Sequence, residues 1–407
     1  MNPRKYLFIL PLLMQPIFSE DWPGFGGISG NFISSENKLK KTWGNQEPIK
    51  LWDHEIGLGF SSIIESKGLA YTQGYSNGKN SVFCVDVKSG EILWKSSFPC
   101  SKADDYFKGG SRSTPLENDG NLYLSTHMGD VYCLNSQKGN IIWSLNMSKD
   151  LGGKRPTWGY AASPVIIDQQ LILVTGSPNG SLVALNKKTG DVLWKNGNYG
   201  AAYATPQRYT TTNKLLVFHE AGLSLHNLSD GSEINFYQHK TRYGINASQP
   251  LAIGSRILLS SAYGKGSAMI NLSSKNTKVE WKTEKVAAQM ASLIQHNGYV
   301  YGIHGQAGTR AKFSTLFCMN SKSGKIIWEK KGYGLGSLIL VDESLVLLNE
   351  SGELVLIDAN PKQFIERASF QILSGKDNWV PPSYANGRLH CRSSDGTWVC
   401  LKMGPTI

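Results

Sequence analysis

The sequence predicts an all-β chain, an eight-bladed β-propeller of four-stranded antiparallel blades, closed by an N-terminal strand lying beside the C-terminal strands. Three observations carry this. A twelve-residue pattern recurs, as "CVDVKSGEILWK" from Cys84, "CLNSQKGNIIWS" from Cys133, "ALNKKTGDVLWK" from Ala184 and "CMNSKSGKIIWE" from Cys318. Its aromatic residue returns every 42 to 51 residues, with about four strand-like runs per period and no helical periodicity, the mark of blades stacked around an axis. Finally, the ends are complementary. The last unit, "GTWVCLKM" (396–403), lacks an outermost strand, and "IKLWDHEIG" (49–57) is such a strand with no others before it. Pairing them completes the eighth blade and removes an open edge.

Taken from the N-terminus, "MNPRKYLFILPLLMQPIFSEDW" has Arg4 and Lys5, then an apolar run from Tyr6 to Phe18, then small Ser19. This is the pattern of a cleaved secretory signal over 1–19, and the run is too short to span a bilayer comfortably. Residues 20–47 follow as an N-terminal arm, 48–403 form the propeller, and 404–407 are a C-terminal tail. No other segment is long and apolar enough to cross a membrane.

Within each blade the repeat is explained locally. Asp86, Asn135, Asn186, Asn227, Asn271, Asn320 and Asp358 occupy one equivalent position, and Gly90, Gly139, Gly190, Gly231 and Gly324 come four residues later. An Asx side chain starts a turn by bonding the backbone ahead of it, and glycine accepts the positive φ that ends one. Trp94, Trp143, Trp194 and Trp328 each fall eight residues after the Asx; Trp281 follows a slight insertion, Phe236 and Phe364 stand in for tryptophan, and Trp52 belongs to the closing strand. A large aromatic at a fixed place on each last strand can pack on the neighbouring blade.

Composition bounds function only broadly. The 407 residues are 40% hydrophobic and 18% charged with 43 glycines, an ordinary globular balance rich in turns. The net charge of +11 falls to +9 once Arg4 and Lys5 leave with the signal. The lysines are scattered, and no basic stretch interleaved with aromatics argues for nucleic acid. The histidines have no metal-ligand spacing, and there is no nucleophile elbow or phosphate loop. Cys84, Cys133, Cys318 and Cys400 hold one strand position in different blades, so they are held apart. A two-residue turn at Asp395-Gly396 would place Cys391 opposite Cys400 and permit a disulfide; a longer turn would destroy that pairing.

The hairpin pattern, with the Ser/Thr/Gln-Pro motifs "RSTP" (112–115), "ASP" (162–164), "ATP" (204–206) and "SQP" (248–250), resembles the pyrroloquinoline quinone (PQQ)-type repeat. Quinoprotein alcohol dehydrogenases and the outer-membrane assembly factor BamB share that repeat. "DWPGFGG" (21–27) and "GKRPTWGYAASP" (153–164) resemble a bacterial group of exported PQQ-like propellers. The resemblance implies a monomeric periplasmic or extracellular protein with an exported or outer-membrane protein partner. It also implies an alternative: an oxidoreductase, or a small-ligand binder, holding PQQ with Ca²⁺ on the propeller axis. The enzymes of the family use carboxylate and amide ligands to Ca²⁺, a catalytic Asp, and commonly a disulfide between adjacent cysteines. No two cysteines are adjacent here, and neither a ligand set nor a base can be assigned, so the sequence points away from catalysis. The loops that lead into the innermost strands are expected to line the channel with Phe60, Arg112, Trp158, Tyr160, Tyr203, Asn246, Gln289 and Trp379, joined by Lys265 on a hairpin. Aromatics with an Arg and a Lys suit a planar or anionic ligand. Arg112 and Trp158 are the foremost candidates.

Overall fold

Eight four-stranded sheets surround one axis; seven run in chain order from an inner to an outer strand, and the eighth takes its outer strand from the N-terminal end of the propeller. The computed structural model describes residues 20–44, 46–102, 107–209, 213–272, 277–308 and 311–405. The leader expected over 1–19 and the chain end at 406–407 lie outside them. Blades 1 to 7 span 64–99, 116–146, 165–196, 207–238, 251–283, 294–331 and 337–371. Blade 8 takes three strands from 383–402, and its fourth, Ile49–Glu55, pairs antiparallel with Thr397–Lys402. Closure by the two ends of the propeller is therefore as the sequence predicts. Among the described residues the one helical segment is a single 3-10 turn, Ala311–Phe313, and no helix is long and apolar enough to cross a membrane.

The hairpin repeat is a joint between blades. Asp86 Oδ1 accepts the N–H groups of Lys88 and Ser89 at 3.0 and 2.8 Å, and Asn135 and Asn320 do the same in their own blades. Gly90 closes the turn with φ of 75°. A Cβ there would lie 2.6 Å from the Trp52 ring, and one at Gly139 would lie 2.5 Å from Trp94. The glycine is thus required twice, by its backbone and by the preceding blade's indole resting on it. Each indole also donates across the joint: Trp52 Nε1 to the Val87 carbonyl at 3.1 Å, Trp94 to Ser136 at 3.0 Å, Trp143 to Lys187 at 3.0 Å, Trp194 to Leu228 at 3.1 Å and Trp328 to Asn360 at 2.9 Å. The Trp281 indole N–H has no partner among the described residues.

One feature escapes the sequence reading. The outer strand carries a β-bulge just before its tryptophan: Cys84 faces Trp94, but Val85 faces Ile92. Blades 2, 3, 5 and 6 repeat it before their tryptophans, and blades 4 and 7 carry it at the equivalent position. The inserted residue breaks the in–out alternation, so two successive apolar side chains, Ile92 and Leu93, both face solvent, as do Ile141 and Ile142, and Val192 and Leu193.

The turn between the last two C-terminal strands is one residue longer than the two-residue alternative. Ser393 N–H donates to the Thr397 carbonyl at 2.8 Å, leaving a three-residue loop. Cys391 then faces Val399, and Cys400 faces His390. A one-residue slip turns the two thiols to opposite faces, and both are free, which corrects the proposed Cys391–Cys400 disulfide.

The N-terminal arm lies across one end of the ring. Trp22 exchanges backbone hydrogen bonds with Glu65 of blade 1 at 2.8 and 3.0 Å; Pro23 O accepts from Glu117 N–H of blade 2; Ser34 N–H and Phe32 O bond Leu340 of blade 7, both at 2.9 Å. Glu36 accepts the N–H groups of Asn386 and Gly387 in blade 8. Trp22, Phe32, Leu39 and Trp43 are buried. The arm thus straddles the seam where blade 8 meets blade 1.

Candidate functional site

The proline motifs position the site. Thr114, Ser163, Thr205 and Gln249 each directly precede a proline at the start of an inner strand. Their side-chain oxygens accept backbone N–H groups from one blade back: Ser62 to Thr114 at 3.0 Å, Thr114 to Ser163 at 2.9 Å, Ser163 to Thr205 at 3.0 Å and Thr205 to Gln249 at 2.8 Å. This belt ties five successive blade connections around the axis. It satisfies amides that the proline-terminated strands leave outside the sheet ladders.

Inside the belt is a cavity of about 180 Å³. Phe60, Arg112, Trp158, Tyr203, Gln289 and Trp379 line it, so the structure brings six of the sequence-derived candidates together. They come from successive inter-blade loops and therefore follow ring order. Phe60 stacks on Trp379 with centroids 5.6 Å apart and planes 18° apart, and the Arg112 guanidinium lies 5.3 Å over the Phe60 ring. Across the cavity Trp158 meets Tyr203 edge to face at 6.1 Å. Gln289 is held at both ends: its Oε1 accepts Ala307 N–H at 2.7 Å and its Nε2 donates to the Tyr263 hydroxyl at 3.2 Å. The Trp379 indole donates to Glu350 Oε1 at 2.9 Å, behind the lining.

Three candidates lie elsewhere, each for a visible reason. Tyr160 is buried between blades 2 and 3, and its hydroxyl donates to Thr175 O at 3.0 Å. Asn246 is fully buried and braces its own loop: Nδ2 donates to the carbonyls of His219 and His239, and Oδ1 accepts from Ser261. Lys265 is exposed on its hairpin turn. Sequence reading missed Phe25, Phe107, Tyr263 and Met290, which also line the cavity. Phe25 belongs to the arm. It packs edge to face on buried Phe32 at 5.1 Å and also lines a second, larger space of about 560 Å³ between the arm and the inner strands. The arm therefore floors the cup. The signal for this was the lone aromatic among glycines in "PGFGG".

The lining residues do not fit a PQQ–Ca²⁺ pair. Calcium takes six to eight oxygen ligands, with carboxylates prominent. Among the described residues no Asp or Glu lines the cup, and the one side-chain amide oxygen, that of Gln289, is already engaged. A cavity of ~150 Å³ takes a single benzene ring, so about 180 Å³ is short of a fused three-ring quinone. No group of three or more His, Cys, Asp or Glu side chains among the described residues is placed to hold a metal ion.

The buried charge lies instead at the seam. Glu65 of blade 1 is fully buried, and it receives Arg388 Nε at 3.1 Å, Arg388 Nη2, His390 Nε2 at 2.9 Å and Asn386 Nδ2 at 2.9 Å. Trp398 Nε1, which can only donate, points at His390 Nδ1, so the imidazole donates to Glu65 from Nε2. Burial pushes the Glu65 carboxyl up, but its bonds from His390 and Arg388 outweigh that and hold it below the usual range. These groups pin the ring shut and face no cavity.

Comparison with known proteins agrees with this geometry. A BamB from Kangiella koreensis is 23% identical over 212 residues, 51% of this chain and 49% of that protein; the match thus spans about half the relative's length. The crystal structure of BamB from Moraxella catarrhalis superposes with a TM-score of 0.63 at 14% identity, over 88% of this chain and 98% of that one. Quinohemoprotein alcohol dehydrogenase from Comamonas testosteroni gives 0.70 at 12% identity, over 95% and 81%; at such identity the likeness shows the fold alone. Residues 78–330 match the model of the family described as outer membrane protein assembly factor BamB, and the chain belongs to that family of PQQ-repeat propellers.

Proposed function

We propose that the protein is an exported, non-catalytic scaffold of the bacterial envelope that docks a protein partner in outer-membrane assembly. Family membership supports the reading, and the observation that carries it to particular residues is the bulged outer edge. Leu51, Leu93, Ile142 and Leu193 project from blades 8, 1, 2 and 3 at 40–49% exposure, beside outer strands whose far edges no further strand of the described residues covers. In blades 4, 5 and 7 the corresponding stretch reads "SEIN", "KVEW" and "IERA", and Ile327 of blade 6 is exposed at the same position, so the unbroken apolar row is the one over the adjacent blades 8, 1, 2 and 3. An apolar strand edge is suited to taking up an extended segment of another chain.

Among the described residues the lining of the cup holds one guanidinium and no carboxylate, so no described pair of lining groups matches a base with an acid. The test is genetic and chemical together. Deleting the gene in the organism that encodes it should lower the outer-membrane content of β-barrel proteins. Wild type should restore it, and Leu93→Asp/Ile142→Asp should not, despite unchanged melting temperature. An unaltered outer-membrane protein profile after deletion would refute the assignment to assembly.

A further inference from the structure

We propose that the end of the channel beside the N-terminal arm takes up a short, extended, uncharged apolar segment of a partner protein, on a surface separate from the outer edges. The arm fills only half of a repeated backbone seat. In blades 1, 2, 3, 5, 6 and 7 the inner strand ends at a two-residue turn, and its last residue pairs across that turn. The residue before it therefore turns its N–H and C=O towards the axis. These residues are Glu65, Glu117, Ile166, Ala252, Gln295 and Leu340. The arm takes three of them. Trp22 exchanges two hydrogen bonds with Glu65, Pro23 O accepts Glu117 N–H, and Phe32 O and Ser34 N–H take both groups of Leu340. The axis-facing main-chain groups of Ile166, Ala252 and Gln295 have no such partner among the described residues.

Two of the open seats share one groove. Ile166 and Ala252 line the space of about 560 Å³ between the arm and the inner strands, within the roughly 300–1,000 Å³ of ligand-holding clefts. Its walls are largely apolar, with Ile167, Pro206, Pro250, Leu251 and Leu293 among them. Ile28 of the arm also lines it and is 62% exposed, a large apolar side chain that the fold leaves uncovered. The two charged residues in the lining, Asp168 and Arg208, bond each other at 3.4 Å, so the groove pairs its own charges and favours an uncharged guest. Ring order supplies a template for that guest. The seats of Trp22, Pro23 and Phe32 are on blades 1, 2 and 7, and half a turn of the ring carries them to blades 5, 6 and 3. An arm-like segment placed there would meet Ala252, Gln295 and Ile166. Trp22 and Phe32 are each 2% exposed, so the filled seats bury large aromatics beside the backbone bonds. The occupant is thus an extended segment with aromatic or large aliphatic side chains, its backbone added to unpaired strand edges.

The experiment uses the purified protein and a synthetic probe, acetyl-Trp-Pro-Gly-Phe-amide, which copies residues 22–25. Amide hydrogen exchange read by mass spectrometry follows the segments 164–168 and 250–254, together with melting temperature. Saturating probe should slow exchange in both segments about tenfold or more and raise the melting temperature by mass action. Acetyl-Asp-Pro-Gly-Asp-amide, of the same length but charged, should do neither. Ala252 is exposed, so Ala252→Lys puts a charge on the open edge and should weaken the probe at least roughly tenfold. Ala252→Pro removes the edge N–H, at a place in a strand where proline is tolerated, and should weaken it by about tenfold, the worth of one hydrogen bond. Leu93→Asp/Ile142→Asp should bind the probe as the wild type does, so failure at the outer edge and failure here are told apart. Any of four results overturns the proposal. They are no protection of either segment, protection that Ala252→Lys leaves unchanged, equal protection by acetyl-tryptophanamide, which would make the groove a small-molecule pocket, and a dimer of the protein that excludes the probe, which would make a second copy the occupant. Should either Ala252 variant fold poorly, the three-probe series on the wild type decides the matter.

Discussion

Replacing Glu65 by Gln tests what holds the ring closed. The substitution keeps the shape and removes the charge. Arg388, with 4% of its side chain exposed, then carries an uncompensated guanidinium in the seam. Removing one partner of a buried ion pair costs about 3–5 kcal/mol, because the surviving charge stays desolvated. The His390 N–H can still donate to the amide oxygen, so the loss should fall near the lower end of that range. The double replacement Glu65→Leu/Arg388→Met removes both charges and should recover most of it, since buried pairs replaced by apolar groups of similar volume are often neutral or better. The assay is equilibrium urea unfolding followed by tryptophan fluorescence, with the midpoint shift read at unchanged slope. A cost below about 1 kcal/mol for Glu65→Gln would place the pair in the range of solvated surface bridges, and the account of a dry, charge-pinned seam would be wrong.

Further outcomes follow from the same geometry. Gly139→Ala should destabilise by about 2 kcal/mol, the left-handed φ costing ~1–2 kcal/mol with a 2.5 Å approach to Trp94 added; thermal unfolding reads it. Trp143→Phe removes the donor to Lys187 O and should cost about 1–3 kcal/mol, whereas Trp281→Phe, whose N–H has no partner among the described residues, should cost clearly less in the same urea assay. Burial pushes His219 down to about 3 and His239 to about 4 from 6.5. The unfolded chain therefore binds protons that the fold excludes, and stability present above pH 6.5 is lost as pH falls towards 4. At one pKa unit per 1.36 kcal/mol, the loss at pH 5 is roughly 2 kcal/mol per histidine, and His239→Gln should flatten a plot of melting temperature against pH. Mass spectrometry after alkylation in denaturant without reductant should find all six cysteines labelled; protection of Cys391 and Cys400 would refute the observed register.

How much could be read beforehand depended on how local the physics was. Asp86, Gly90 and Trp94 lie within nine residues, and each constrains its neighbours through one turn and one strand, so the hairpin, its repetition and the blade count were legible. The convergence of Arg112, Trp158, Tyr203 and Gln289 was legible too, because equivalent loops of a closed ring must meet at its axis. Tyr160 and Lys265 show the limit. Both lie on the right segments, but which way a loop side chain turns depends on its tertiary partners, here Thr175 O for Tyr160 and open solvent for Lys265. The disulfide failed for a related reason. Whether Ser393 or Ser394 faces Thr397 is a difference of one residue in a short loop, and it reverses every side chain beyond it.

The sequence by itself determined the strands, the turns and the closure of the ring, because those follow from the periodicity of apolar residues and from Asx, Gly and Trp acting over a few bonds. Only the tertiary structure decided that the arm seals one end of the channel with Phe25, that Glu65 and Arg388 meet across the seam from positions 323 residues apart, and that a bulge in each of several outer strands turns a pair of apolar residues to solvent. Those are contacts between segments distant in the chain, or single-residue shifts in register. The short-range pattern of the residues is the same with or without them, and packing alone selects among the arrangements it permits.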